Sequence, residues 1–263
     1  MFRRLPTLAL GALLLASTPL LAAQPVTTLT VLSSGGIMGA IREVAPAYEK
    51  ATGVKLDIAA APSMGDTPQA IPQRLARGEP ADVVLMVGSA LDKLVANGQV
   101  LKDSRFDLGQ SFIALAVRKG APKPDISTME AFKRSLENAQ SVAYSDSASG
   151  VYLSHILFPR MRLSDAFKAK ARMIPAEPVG EVVARGEAQL GFQQLSELKP
   201  VQGIDIVGLI PDQAQKMTLY SGAVVSKSTH PDAARALLQY LASKDAAKAI
   251  VDSGLKPIPA QQR

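Results

Sequence analysis

The sequence has no cysteine and no tryptophan, only two histidines, and an aromatic content of 5%. Without cysteine there is no disulfide, no thiolate nucleophile and no cysteine-ligated metal. With His155 and His230 as the sole imidazoles, neither a dedicated transition-metal site nor any other cofactor is expected. The phosphate loop G-x-x-x-x-G-K-[ST], the zinc helix H-E-x-x-H and the nucleophile elbow G-x-S-x-G are all absent. Lysines and arginines are scattered rather than gathered in a run or stripe. With so few stacking residues, nucleic acid is not an expected partner.

The start of the chain does carry a pattern. Met1-Phe2-Arg3-Arg4 is basic, Leu5 to Leu15 is apolar, and Pro19 and small residues lead to Ala22 and Ala23. This predicts a cleavable secretory signal over residues 1–23, cut after Ala22 or Ala23, and hence a periplasmic protein in a bacterium. The apolar run is too short for a membrane span. Losing the two arginines of that segment lowers the net charge from +6 to +4. The remainder has a mild preference for anions and must hold its fold by core burial alone.

Short apolar strands alternate with helical patterns, which predicts an α/β fold. The stretch Leu29-Thr-Val-Leu-Ser-Ser-Gly-Gly-Ile-Met-Gly39 reads as a strand, Thr28 to Leu32, ending in Ser33, Ser34, Gly35 and Gly36, with a helix from about Gly36. Small hydroxyls and glycines where a strand meets a helix start make an anion seat, because the first helical amides lack partners. The second strand, Val54 to Ala59, runs into Ser63-Met64-Gly65-Asp66-Thr67, with a helix expected over 68–77. The third, Asp82 to Val87, runs into Gly88-Ser89. In a parallel sheet these loops share the carboxyl edge, where ligands bind. The apolar segments Ser111 to Arg118 and Met217 to Ser226 are read as crossovers. Between them a second α/β series carries the loops Ser145–Gly150 and Pro175–Pro178, and the strand Gln189–Phe192 leads into Gln193 and Gln194. The expected organisation is 24–110 with 222–263 in one lobe and 111–221 in the other.

The segments Leu29–Ser34, Pro80–Val84, Ala148–Tyr152 and His230–Leu238 resemble the molybdate-binding group of periplasmic solute-binding proteins. That resemblance implies a two-lobed type II binding-protein fold, with a ligand cleft between lobes joined by two crossover strands. By position, the serine contacts of that group fall on Ser33 or Ser34 and on Ser63. Its amide contacts fall near Ser149 and Val179, and its oxyanion tyrosine falls on Gln194. The segments Ser33–Gly39, Ser63–Thr67 and Gly191–Leu198 resemble more closely a branch of that family that interconverts trans- and cis-aconitate. The implied substrate is a small tricarboxylate. The alternative is a receptor handing an oxyanion or organic acid to an ABC permease.

Shifting a double bond along aconitate requires a base beside a carboxylate-activated carbon and donors for the dienolate. Ser33, Ser34, Gly35, Ser63, Met64, Ser149, Val179, Gln193 and Gln194 are the expected substrate contacts. Asp66, Asp146 and Glu177 in the rim loops, with Tyr144 and Tyr152 flanking one loop, are the candidates for the base. Arg42, Arg74 and Arg118 are cations that could reach in from neighbouring elements.

Overall fold

A computed structural model describes residues 26–175 and 177–258, so the expected signal segment 1–23 and its cleavage point lie outside the described residues. The strands, in chain order, are β1 (Thr28–Ser33), β2 (Lys55–Ala60), β3 (Val83–Val87), β4 (Phe106–Ser111), β5 (Ile113–Arg118) and β6 (Val142–Ser145). They continue with β7 (Ala171–Ile174), β8 (Leu190–Gln194), β9 (Ile204–Leu209), β10 (Thr218–Val224) and β11 (Lys256–Pro257). Two sheets form, in the orders β11-β4-β10-β3-β1-β2 and β7-β6-β8-β5-β9. Helices cover them, so the fold is α/β and two-lobed. Among the described residues no helix is long and apolar enough to cross a membrane.

Each lobe has its own core. β3 is buried along its whole length and reads as the continuous apolar run Val83-Val-Leu-Met-Val87, as a strand covered on both faces must. With Leu29, Val31 and Leu32 of β1 and Ile37 and Ile41 of the following helix, it builds the first core. The second gathers Ile113, Leu115, Phe132, Leu136, Leu153 and Phe192. Its rings meet edge to face, as in Phe132–Phe192 at 5.9 Å.

Three expectations are corrected. The segment from Ser111 to Arg118 is not one strand: β4 ends at Ser111 and β5 begins at Ile113, so the chain changes sheets at Phe112. The return crossing is not at Gly222, because Tyr220–Val224 pair antiparallel with Val83–Val87 inside the first sheet. The sheet change therefore falls between Leu209 and Thr218, before the expected boundary at 221/222. Apolar pattern marks a buried strand but does not say which sheet it joins. The helix expected over 68–77 runs only from Ile71 to Ala76, with Pro72 in its first turn. Proline is accepted there because the first helical amides need no intrahelical acceptor.

β1, β2 and β3 are parallel neighbours, so their carboxyl ends share one edge, as do those of the parallel set β6, β7 and β8. The two edges face each other where the lobes meet. There the helix Leu195–Leu198 packs on the helix Gly35–Thr52. Ser111 and Ser196 bring their hydroxyls to 3.2 Å. Ala148, from the second lobe, packs on the first lobe's core.

Candidate functional site

The chain leaves β1 at Ser33 and enters the helix Gly35–Thr52 with Ser34 at the N-cap. The two serines behave differently. Ser33 Oγ donates to the Ser34 carbonyl at 3.2 Å. Ser34 makes no side-chain cap bond, and its buried Oγ has no partner. Its backbone is pinned by the Ser34 N–H donating to Leu85 O at 2.8 Å. Ser33 therefore braces the turn, and Ser34 carries an unpaired hydroxyl at the start of an 18-residue helix.

Ser63 is buried and its Oγ accepts from the Val87 N–H at 3.0 Å. A hydroxyl that accepts from below keeps its own proton free to donate. Met64 is half-buried against the first core. In the second lobe, Ser145 Oγ lies 2.8 Å from Ser147 Oγ and 3.1 Å from Ser149 Oγ. Gly150 has no room for a side chain, since a Cβ would lie 1.6 Å from Ser145 O. The Val179 amide donates to Gln193 Oε1 at 2.9 Å, so this expected contact is engaged internally and orients Gln193. Gln194 Nε2 donates to Thr218 Oγ1 across the lobe junction at 2.8 Å, and its Oε1 is buried without a partner. The threonine hydroxyl both accepts and donates, so the amide can turn either its oxygen or its NH2 toward the cleft.

The residues that sequence reasoning missed are Glu197 and Tyr220. Glu197 Oε1 lies 2.9 Å from where a Cβ on Gly35 would be, and Oε2 is buried without a partner. Removal from water pushes the Glu197 carboxyl up to about 7. The Gln194 backbone and the Gln193 side chain oppose that rise, and the charge of Asp146 adds to it. Tyr220 is 3% exposed. Its hydroxyl lies over the helix start, 1.9 Å from where a Gly36 Cβ would be. Burial, and then the charge of Glu197, raise its phenol well above the ordinary value, so it stays a neutral donor. Ser34 Oγ, Gln194 Oε1 and Glu197 Oε2 are the buried side-chain polar atoms left unpaired among the described residues. All three belong to the lobe junction. Buried polar atoms are normally paired, so three orphans at this junction single out a candidate seat for a polar ligand.

Of the expected base candidates, two are exposed and three make contacts of their own. Asp66 is exposed. Glu177 pairs with Arg185 at 2.6 Å. Tyr152 donates to Ala214 O at 3.1 Å, and Tyr144 stacks edge-on to Phe158 at 5.8 Å. Asp146 is exposed but close enough to Glu197 to act on its charge. Among the cations, Arg74 is held by Glu79 at 2.8 Å, Arg42 is exposed, and Arg118 ends β5 away from Ile113, which pairs with Gln194. His155 is exposed on its helix, with Nδ1 2.9 Å from Ser154 Oγ. Among the described residues no group of three or more His, Cys, Asp or Glu could hold a metal ion.

Residues 29–256 match the family described as bacterial extracellular solute-binding protein. The chain belongs to that family. An aconitate isomerase from a Pseudomonas species is 89% identical over 261 residues, covering 99% of this chain and 100% of its own. Among solved structures, the periplasmic molybdate-binding protein of Azotobacter vinelandii superposes with a TM-score of 0.71 at 20% identity, covering 88% of this chain and 99% of that one. Peb3 from Campylobacter jejuni gives 0.64 at 18% identity, over 88% and 100%. These likenesses show the fold alone. The solute-binding family thus supplies the two facing lobes, and the chain's own residues supply the orphaned polar atoms between them.

Proposed function

We propose that this protein interconverts trans- and cis-aconitate in the periplasm, in the cleft between its lobes, by a 1,3-proton shift. The observation that carries the reading is the 89% identity, over nearly the whole chain, to an aconitate isomerase. A 1,3-proton shift transfers no electrons and no group, so a site of hydroxyls, amides and one carboxylate has the functional groups it needs.

The Ser34 and Ser63 hydroxyls, the helix start at Gly35, Ser149, and the Gln193 and Gln194 amides hold the substrate carboxylates. Met64 forms an apolar wall. Ser33 and Val179 act through their neighbours, bracing Ser34 and Gln193. The neutral Tyr220 hydroxyl donates to the oxygen on which charge grows as the dienolate forms, and a donor placed there lowers the barrier.

The test is direct. The purified protein is incubated with trans-aconitate and a chelator, and cis-aconitate is followed by chromatography. Conversion supports the reading. No conversion, together with a rise in Tm on adding molybdate or citrate, would favour a receptor serving an importer. Ser34→Ala is expected to weaken binding of tricarballylate, the saturated analogue, by about tenfold to hundredfold, the range for one buried bond to a charged group. Calorimetry measures it, and unchanged affinity would remove Ser34 from the site.

A further inference from the structure

We propose that Glu197 is the base that takes the allylic proton from the substrate and returns it at the other end of the double bond. This deepens the isomerase reading and rests on it. The assignment stands on geometry. Glu197 lies just past β8 on the short helix Leu195–Leu198, which packs on the helix Gly35–Thr52. Its carboxylate therefore faces the glycine turn that presents Ser34. One oxygen lies against Gly35 and the other is buried and unpartnered. No arginine or lysine forms an ion pair with it among the described residues. A structural carboxylate buried this way is ordinarily paired, since an unpaired one lowers stability.

The groups facing Glu197 suit the role. The Gln193 side chain and the Gln194 backbone amide orient it, Asp146 approaches from the loop after β6, and the Tyr220 phenol approaches from β10. Together with burial they hold its pKa at about 7, near the working range of a general base. The step balances within the substrate and this one side chain. The C–H bond of the methylene beside a carboxylate breaks, its proton goes to a Glu197 oxygen, and its electron pair enters the conjugated system as a dienolate. The protonated Glu197 then delivers that proton to the former vinyl carbon, leaving the double bond one position along. Whether the cis or trans isomer results depends on the rotamer held about the single bond that becomes double. Ser34 and Gln194, gripping the flanking carboxylates, are placed to fix that rotamer.

The test compares wild type with Glu197→Gln in three readouts. Turnover of trans-aconitate should fall about 10²- to 10⁴-fold, and exchange of the substrate's methylene protons in D2O should be lost, while tricarballylate still raises Tm. Thermal stability separates a base from a structural latch. Because the native state holds the Glu197 proton more tightly than the unfolded chain does, its ionisation lowers stability as pH rises from the ordinary carboxyl value toward 7. Glu197→Gln should therefore raise Tm at pH 8 and raise it far less at pH 5, whereas a latch variant would lose Tm and keep turnover. Should the variant not fold, the wild-type pH profile carries the test, since kcat/KM should fall below about pH 7. A flat profile from pH 5 to 9, or a folded Glu197→Gln variant within tenfold of wild type, would overturn the assignment and leave the isomerase reading intact. An inactive wild type would overturn both.

Discussion

Tyr220→Phe is expected to lower kcat about 10²- to 10³-fold, the usual loss on removing one donor to a developing oxyanion, with KM changed little. The ring lies in the first lobe's core, and phenylalanine keeps that packing, so Tm should stay close to wild type. Only the hydroxyl over Gly36 is lost. Because burial and Glu197 both raise the phenol's pKa, it does not ionise as pH rises through the neutral range. The wild-type rate should accordingly show no alkaline fall from this group below its ordinary value of 10.0. Steady-state kinetics from pH 6 to 9.5 measures both effects. A variant with wild-type kcat would place the hydroxyl outside the reaction.

Gly36→Ala should be more damaging, because it acts on position and stability together. The new methyl would lie 1.9 Å from Tyr220 Oη and 2.1 Å from Cζ. Either the ring leaves the cleft or the helix start moves, and the second displaces Ser34. Overpacking of this kind costs about 1–3 kcal/mol, or about 2–10 °C in Tm for a chain of this length. Turnover should fall below that of Tyr220→Phe. Combined with Tyr220→Ala, Gly36→Ala should cost less Tm than the sum of the two single changes, without recovering activity, since both act on one clash and are not additive. Strictly additive losses of Tm in the double variant would contradict the clash.

The rim serines are legible in the sequence because a strand end followed by small polar residues and a helix is a local pattern. Ser34 and Gln194 lie at such strand ends, and each buries a side-chain polar atom without a partner. Which serine is free is not given by that pattern: it follows from the Ser33 hydroxyl donating to the Ser34 carbonyl. Glu197 is harder still. In Leu195-Ser-Glu-Leu198 it has the pattern of a solvent-facing first-turn acid, and only the docking of one lobe on the other buries it. Its position past β8, on the same rim as the Ser-Gly loops, is the signal that could have found it. Tyr220 sits on β10, which reads as a crossover strand. Its place over the helix start at Gly36 follows from pairing with Val87 at the carboxyl end of β3, a register that periodicity does not give. Asp66 and Glu177 show the reverse: the rim loop is legible, but exposure and the ion pair to Arg185 are tertiary outcomes.

A crystal structure of the Glu197→Gln protein with trans-aconitate tests most directly whether the three orphaned atoms mark the substrate seat. The prediction is a ligand between the lobes, with one carboxylate oxygen within hydrogen-bond reach of Ser34 Oγ, a second carboxylate on the Gln194 amide, and the methylene carbon facing residue 197. A ligand seated instead in the cavity lined by Thr28, Asp82 and His230, or between the lobes with Ser34 and residue 197 untouched, would contradict it.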